Sequence, residues 1–295
     1  MEMPLAIPIS NWMQEKITIK KADGSLEFFD PNKLLDSLQK SGATKEMADD
    51  VLKQIGREIQ DGMRTSYIYH RAFKLLRVKS EPVASVYSLK RALMELGPSG
   101  FPFEALVSEI FEKKGYKTQL DVIMEGRCVE HEIDVIAEND KEFLVCEAKF
   151  HNNSGIKSDL KVALYVDARC KDLLKGNFGG KKKENLSAQF WIITNTKFTK
   201  NAILYGKCAG LNMIGWGYPK KGNLQDLIEE AELHPITVLI NLTNQEKRML
   251  FDKKIVLCKD LVENRKLLVD IGVKEQRTDR IINEAIQVLK TKRTK

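Results

Sequence analysis

The alternation of hydrophobic and polar residues changes character along the chain and divides it into three blocks. In the first block, residues 16–20 and 26–29 alternate like strands on either side of Asp23-Gly24, a pair that favours a tight hairpin turn. Apolar residues then recur every three or four positions, which is typical of helices. We expect one helix to begin at Asp30-Pro31 and three others to cover residues 45–62, 66–79 and 82–96.

The second block begins after the chain-breaking residues 97–100, Gly-Pro-Ser-Gly, where we place a domain boundary. Helical and strand-like patterns alternate in it, and their order is α-β-β-β-α-β-α-β. The expected elements cover residues 103–114, 116–124, 132–138, 142–149, 157–175, 190–194, 202–209 and 211–216. This order predicts a mixed α/β layer fold.

The third block, from about residue 224, has apolar residues at helical spacing to the end of the chain. It contains a turn at Ile271-Gly272 that loosely resembles a helix-hairpin-helix, but a helical packing or dimerisation module is the favoured interpretation. The expected domains are therefore residues 1–97, 98–222 and 223–295.

Composition narrows the class of protein. The net charge is +7, and basic runs at residues 181–183 and 290–295 favour a polyanionic partner, although a lysine-rich solvated surface would look the same. The five cysteines form no CxxC pair, which argues against a zinc ribbon and a disulfide framework and fits the cytoplasm. The chain shows no secretory signal and no window near the ~20 apolar residues needed to span a bilayer, so we expect no membrane partner.

Candidate chemistry is concentrated in residues 133–150, IDVIAENDKEFLVCEAKF. Asp134 begins one apolar strand, and Glu147 and Lys149 end the next, on one face because strand side chains alternate. A hairpin that brings Asp134 opposite Glu147 would join two carboxylates and an ammonium, a set that suits Mg²⁺ or Mn²⁺. In the alternative interpretation these residues form no site: Asp134 caps a turn, and Glu147 and Lys149 form one exposed face of an edge strand. Apolar flanks disfavour it, since a charge in such a run is costly.

The sequence around these residues is similar to that of a known protein family. Residues 101–219 resemble the Mrr-like restriction endonuclease domains of the PD-(D/E)XK superfamily, through FEALVSEIFEKKGY, HEIDVIA, FLVCEAKF and WIITNTKFTKNAILYGKCAGL. The resemblance implies a three-layer restriction-endonuclease-like core and metal-dependent DNA hydrolysis. It implies metal ligation by Asp134 and Glu147, catalysis by Lys149 and an assisting acid at Glu104. A favourable charge at a helix N-terminus explains Glu104 nearly as well.

The first block is similar to an ATP-cone, the nucleotide-sensing domain of ribonucleotide reductases and their regulators. The similarity is anchored in IKKADGSLEFFDPNKL and covers residues 16–96. It implies a hairpin plus helical bundle that binds ATP or dATP as an allosteric ligand. The implied ligand-binding residues are Ile19, Lys21, Lys33, Thr65, Lys90 and Arg91. Ala22 stands where the family usually has Arg, which removes a bidentate phosphate contact. A domain used only for oligomer contacts is the alternative.

Together these patterns predict a nucleotide-regulated, metal-dependent DNA endonuclease, with restriction or defence as the role that the resemblance implies. The expected substrate is double-stranded DNA, and a homo-oligomer is expected because two-strand cleavage needs two sites. The alternative from another class is a non-catalytic, nucleotide-responsive DNA-binding regulator that uses the nuclease fold as a scaffold. RNA as substrate ranks below both, since no stacked aromatics that would read single-stranded bases stand out.

Overall fold

The structure is a computed structural model, and it describes residues 16–153, 155–176 and 187–291. Within those residues the protein is a mixed α/β fold with thirteen α-helices and three β-sheets. No helix in the described part of the chain is both long and apolar enough to cross a membrane.

The N-terminal unit is a hairpin followed by helices, as its pattern predicted. Strands β1 (Thr18–Lys20) and β2 (Leu26–Phe28) pair antiparallel, and β3 (Met63–Arg64) adds to β1 in parallel. The helices are α1 (Pro31–Lys40), α2 (Lys45–Glu58), α3 (Thr65–Lys79) and α4 (Glu81–Tyr87). The Asp30 side chain accepts a hydrogen bond from the Asn32 N–H, which confirms the helix start expected at Asp30-Pro31. The two-residue strand β3 is too short to be read from alternation.

The N-terminal unit has its own apolar core. Each of the first three helices contributes fully buried side chains to it: Leu38 from α1, Val51 from α2, and Ala72 and Leu76 from α3. Their helical spacing places them on one face of each helix, and burial of each larger side chain stabilises the fold by about 1.5–3 kcal/mol. This core holds the hairpin against the helices.

The helix expected at residues 82–96 is two helices. It is interrupted at Ser88, whose hydroxyl donates to the Ser85 carbonyl oxygen at 2.7 Å, and α5 (Leu89–Met94) follows. Leu89 and Leu93 of α5 pack into the core of the second block. Hydrophobic packing is therefore continuous across the expected boundary at residue 97.

The second block is built on a five-stranded sheet with the order β10-β8-β6-β5-β4. Strands β4, β5 and β6 are antiparallel neighbours, whereas β6, β8 and β10 run parallel. The first three are β4 (Lys117–Glu125), β5 (Glu130–Glu138) and β6 (Glu142–Lys149). A small parallel pair is formed by β7 (Lys157–Ser158) and β9 (Lys197–Phe198), and the main sheet is completed by β8 (Ser187–Thr194) and β10 (Asn212–Ile214).

Helices cover both faces of this sheet. Helix α6 (Phe101–Lys113) packs on the face that Ile193 contributes to, and α7 (Leu160–Lys175) and α8 (Lys200–Cys208) pack on the face of Ile192. Ile192 and Ile193 point to opposite faces because strand side chains alternate. The expected mixed α/β layering is confirmed at this level.

The C-terminal block is helical, as expected, and shares the core of the sheet. Its elements are α9 (Leu224–Glu230), a 3-10 helix (Ile236–Val238), α10 (Asn244–Asp252), α11 (Cys258–Glu263), α12 (Lys266–Asp270) and α13 (Glu275–Lys290). One apolar cluster runs from Val86 to Val288. The buried Glu284 carboxylate accepts hydrogen bonds from the Ser85 hydroxyl and the Ile240 N–H, which ties α13 to α4. Packing is therefore continuous across residue 222 as well.

Candidate active site

Asp134 and Glu147 face each other across the β5–β6 hairpin. The ladder ends with Val135 paired to Cys146, and one residue further Asp134 stands opposite Glu147. The Asp134 Oδ2 accepts a hydrogen bond from the Ala148 N–H at 2.7 Å. The hairpin register expected from the sequence is therefore present, and it places both acids at one end of the two strands.

The electrostatics of Asp134 are those of a crowded, largely buried acid. Burial raises the pKa of the Asp134 carboxyl to about 6, and repulsion from Glu147 adds to the rise. The Ala148 hydrogen bond and the positive charge of Arg169 oppose this rise in pKa. A carboxylate held in this way gains strongly from a nearby cation.

Glu104 joins the same cluster from α6. It lies in the first turn of the helix. Its pKa is raised to about 7, mainly by burial and further by repulsion from Asp134 and Asp121. Gly100 leaves the room that this carboxyl occupies, because a Cβ at that position would collide with the Glu104 side chain. The structure therefore brings Glu104 to the acids of the sheet.

Asp121 is a further acid of the cluster that the sequence analysis did not identify. On β4, Leu120 pairs with Val135 and Val122 pairs with Ile133. Asp121, which lies between them, therefore stands opposite Asp134 of β5. Its backbone is left-handed, with φ of 52°, and its carboxyl hydrogen-bonds that of Glu104. One signal was available: LDVI at residues 120–123 repeats the pattern of IDVI at 133–136.

Arg169 supplies a positive charge from α7 and was also missed. Its Nη1 donates to the Glu147 Oε2 at 2.6 Å, and both side chains are largely buried. Its guanidinium carbon lies 4.4 Å from the centroid of the Tyr165 ring. Arg169 occupies helical spacing with Val166 and Leu173 on the buried side of α7, and a charge among apolar positions was the available signal.

Lys149 ends β6, half-buried, on the face that it shares with Glu147. It pairs in the ladder with the buried Thr194. Just beyond it, burial lowers the pKa of His151, and the positive charge of Lys149 lowers that pKa further. Asn195 accepts from the His151 N–H at 2.9 Å and donates to the His151 carbonyl oxygen at 2.7 Å, so this end of the strand is firmly held.

The donor set fits a divalent cation that keeps most of its water. Among the described residues, no three His, Cys, Asp or Glu side chains form a group that would hold a metal ion by themselves. Asp134 and Glu147 each engage one carboxylate oxygen, Oδ2 and Oε2, in the contacts described above. Two remaining carboxylate oxygens on neighbouring strands suit Mg²⁺, which usually binds one or two carboxylates and several waters.

The second candidate site lies on the N-terminal hairpin. Lys21 Nζ is 2.5 Å and Lys33 Nζ 3.6 Å from the Glu27 Oε2, so the structure brings these two lysines to one carboxylate. Thr65 begins α3 directly after β3, the strand beside β1. Ile19 is 6% exposed and belongs to the N-terminal core.

Lys90 and Arg91 lie in a different setting. The Lys90 Nζ is 5.8 Å from the centroid of the Trp216 ring, and burial lowers the pKa of Lys90 to about 8, assisted by repulsion from Lys197. Arg91 donates to Glu95 at 2.9 Å. Lys90 therefore lies against the second block, whereas Arg91 is exposed, and no described contact joins either residue to Lys21 or Lys33.

An open cleft of about 1010 Å³ lies between the end of α2 and α3. Its lining includes Glu58, Arg64, Ser66, Tyr67, Arg71 and Lys74. Arg71 is held by Glu58 at 2.6 Å, so part of its charge is already compensated. None of the acids of the sheet lines this cleft, and the groups with perturbed pKa values converge instead at the acid cluster.

The fold and site define a mixed α/β protein with a carboxylate cluster at one end of its central sheet. Residues 234–289 match the family model described as AF1548-like, C-terminal. An uncharacterized protein of Archaeoglobus fulgidus is 36% identical over 184 residues, which cover 62% of this chain and 99% of that protein. The chain belongs to this AF1548-like family.

A solved structure, described as the crystal structure of a protein of unknown function, AF1548, is also similar. It aligns with a TM-score of 0.53 and 35% identity over 65% of this chain and 99% of that one. The part of this chain that lies outside the alignment has no counterpart in that structure. Neither description states an activity.

Proposed function

We propose that the protein is a metal-dependent DNA nuclease of the PD-(D/E)XK type, regulated by a nucleotide bound to an N-terminal ATP-cone. The observation that carries the proposal is the position of Asp134 opposite Glu147, with Lys149 on the same face of β6. Glu104 and Asp121 complete the acid cluster. Structural acids rarely converge from three strands and a helix at such cost in burial.

The residues have distinct parts in phosphodiester hydrolysis. A divalent ion held by Asp134 and Glu147 would polarise the phosphate and lower the pKa of an attacking water. The Lys149 ammonium orients that water and offsets the charge that develops on the phosphate oxygens. Glu104 and Asp121 would bind water molecules of the ion at the same end of the sheet.

DNA as the substrate rests on charge and on the resemblance. The net charge of +7 favours a polyanion. Residues 181–183 and 292–295, which hold most of the basic runs, lie outside the described residues. Lys290 lies at the end of α13.

Regulation by a nucleotide is supported by a contact between the two candidate sites. The hairpin turn meets the segment that follows Lys149, because Lys157 Nζ donates to the Asp23 Oδ2 at 2.8 Å. Gly155 lies so close to the Ala22 carbonyl oxygen that a Cβ there would stand 2.9 Å away. Lys157 lies in β7, and α7, which carries Arg169, begins three residues later. A nucleotide that moves the turn would therefore act on the active site, and the coupling is reciprocal.

The alternative is a DNA-binding regulator without catalytic activity. It is favoured by one observation, the engagement of Glu147 by Arg169 at 2.6 Å. A protein that used the acids only for structure would need such a counter-charge. The retained Lys149 beside Glu147 favours the nuclease, because a purely structural cluster does not require a second cation there.

Plasmid cleavage with Mg²⁺, with and without ATP or dATP, tests the proposal. We expect the wild type to cut the plasmid and ATP or dATP to change the rate of cutting. Lys149→Ala should reduce that rate by about 10²–10³-fold. Lys207→Ala is the matched control, because Lys207 is exposed on α8, away from the cluster. DNA binding without cutting under every condition would instead establish the regulator. Cutting that survives Lys149→Ala would contradict the assigned site.

A further inference from the structure

Arg169 is an unusual occupant of the acid cluster. It is 9% exposed, lies on the buried side of α7 and makes one hydrogen bond to Glu147. Its Nε is buried and has no hydrogen-bond partner among the described residues. A buried guanidinium that leaves a donor unsatisfied is costly, so an electrostatic gain has to offset that cost.

The gain comes from the neighbouring carboxylates. Asp134 is stabilised in its charged form by Arg169, and Glu147 is paired with it directly. Asp121 and Glu104 contribute further negative charge to the same cluster. Among the described residues Arg169 forms the ion pair of this cluster, so its loss would leave negative charge that a second divalent ion could offset.

The geometry adds a second restriction. The Glu147 Oε2 is engaged by Arg169, so one oxygen of that carboxylate is left for a metal ion. A second ion at the Oε2 would have to share that oxygen with the Arg169 guanidinium. Arg169 therefore opposes a second ion mainly through its charge, which lies beside that oxygen.

We propose that Arg169 is a positioning residue that takes the place of a second divalent ion and limits the site to one. The proposal deepens the proposed function, on which it rests, by assigning a one-metal site. Arg169 holds the Glu147 carboxylate in the orientation that leaves the Oε1 for the ion. Tyr165, stacked on the guanidinium, holds Arg169 in turn.

Counting bound Mn²⁺ ions tests this proposal without relying on activity. The full chain is titrated with Mn²⁺, and free ion is followed by electron paramagnetic resonance. We expect one tightly bound ion in the wild type and in Arg169→Lys, which keeps the charge. We expect two in Arg169→Gln, which can keep the hydrogen bond to Glu147 but loses the charge. Lys171→Gln is the control, because this cation of α7 pairs with Asp167 at 2.7 Å, outside the cluster.

The outcomes separate the proposals from each other. Two tight ions in the wild type, or one in a folded Arg169→Gln, would overturn the one-metal inference, and Lys149-dependent cleavage would leave the nuclease standing. One ion rising to two without any cleavage would support the inference and remove the nuclease. A wild type that binds no Mn²⁺ would overturn the inference and the metal dependence together. A wild type with two tight ions overturns the inference even if Arg169→Gln does not fold, and Arg169→Met then replaces Arg169→Gln in the count.

Discussion

The acid cluster and the N-terminal hairpin both bring opposite charges together, but they do so at very different cost. In the cluster, Glu147 and Arg169 have side chains that are 13% and 9% exposed, and they are joined by elements distant in sequence. On the hairpin, Lys21 is 40% exposed and pairs with Glu27 six residues away. Charge in the first region is held by the packed core, whereas charge in the second is held by a local turn and screened by water.

The comparison indicates which property of the protein a substitution in each region should change. A buried charge without its partner loses several kcal/mol, so a change in the cluster alters both stability and chemistry. An exposed pair tolerates loss of a partner, so a change on the hairpin should alter ligand binding alone. Four predictions test this contrast.

The largest effect is expected on catalysis. Asp134→Asn should lower Mg²⁺-dependent plasmid cleavage by about 10²-fold or more, because the variant loses the charge that the proposed function assigns to metal binding. Lys21→Ala on the hairpin should leave cleavage without nucleotide within about twofold, since this exposed lysine pairs with Glu27 and not with any acid of the cluster in the described part of the chain. Initial cleavage rates of both variants measure the difference, and equal losses would break the comparison.

The next effect is expected on stability. Arg169→Leu should lower the free energy of unfolding by about 3–5 kcal/mol, because it leaves the buried Glu147 carboxylate unpaired. Lys21→Ala should lower it by about 0–1 kcal/mol, the usual contribution of an exposed pair. Urea denaturation without divalent ions measures both. A loss below about 1 kcal/mol for Arg169→Leu would show that Glu147 is better hydrated than its burial indicates.

The pH dependence of stability should have opposite signs in the two regions. The folded pKa of Asp134 is about 6, above the ordinary 3.8, so this carboxyl destabilises the folded state as pH rises from about 4 to about 6. Asp134→Asn should therefore become more stable than the wild type over that range, by about 1–3 kcal/mol at neutral pH. Denaturation at several pH values measures the gap, and a constant gap would contradict the raised pKa.

On the hairpin, the ion pairs lower the pKa of Glu27, against the opposing effect of its burial. Its contribution to stability is present above about 4.5 and is lost as pH falls through the lowered value. Glu27→Gln should thus be less stable than the wild type above about pH 4.5, whereas Asp134→Asn should be more stable than the wild type above about pH 6, and both differences should shrink as pH falls. The same denaturation series supplies this comparison.

The smallest effect is expected when the contact between the two regions, the ion pair of Asp23 with Lys157, is removed. Asp23→Asn should leave nucleotide-free cleavage unchanged but should weaken the nucleotide effect, because Lys157 loses its charged partner. Asp50→Asn is the matched control, since Asp50 pairs with Lys79 inside the N-terminal unit. Cleavage rates with and without ATP measure the ratio. An undiminished nucleotide effect in Asp23→Asn would place the coupling elsewhere.

Much of this protein was determined by local sequence alone. Alternation gave strands close to β4, β5 and β6, and the polar turn between the last two set the register that puts Asp134 opposite Glu147. The hairpin and the Asp30 cap were readable for the same reason, because a turn and a cap depend on residues that are close in the chain.

Only the tertiary structure decided which distant charges complete each region. Asp121, Glu104 and Arg169 come from a neighbouring strand and from helices on the two faces of the sheet, and no local period indicates that they meet. The break at Ser88 and the burial of Lys90 against Trp216 likewise follow from packing on the second core. Local patterns set the period of each element, whereas the partners of a buried charge are set by which elements pack against it.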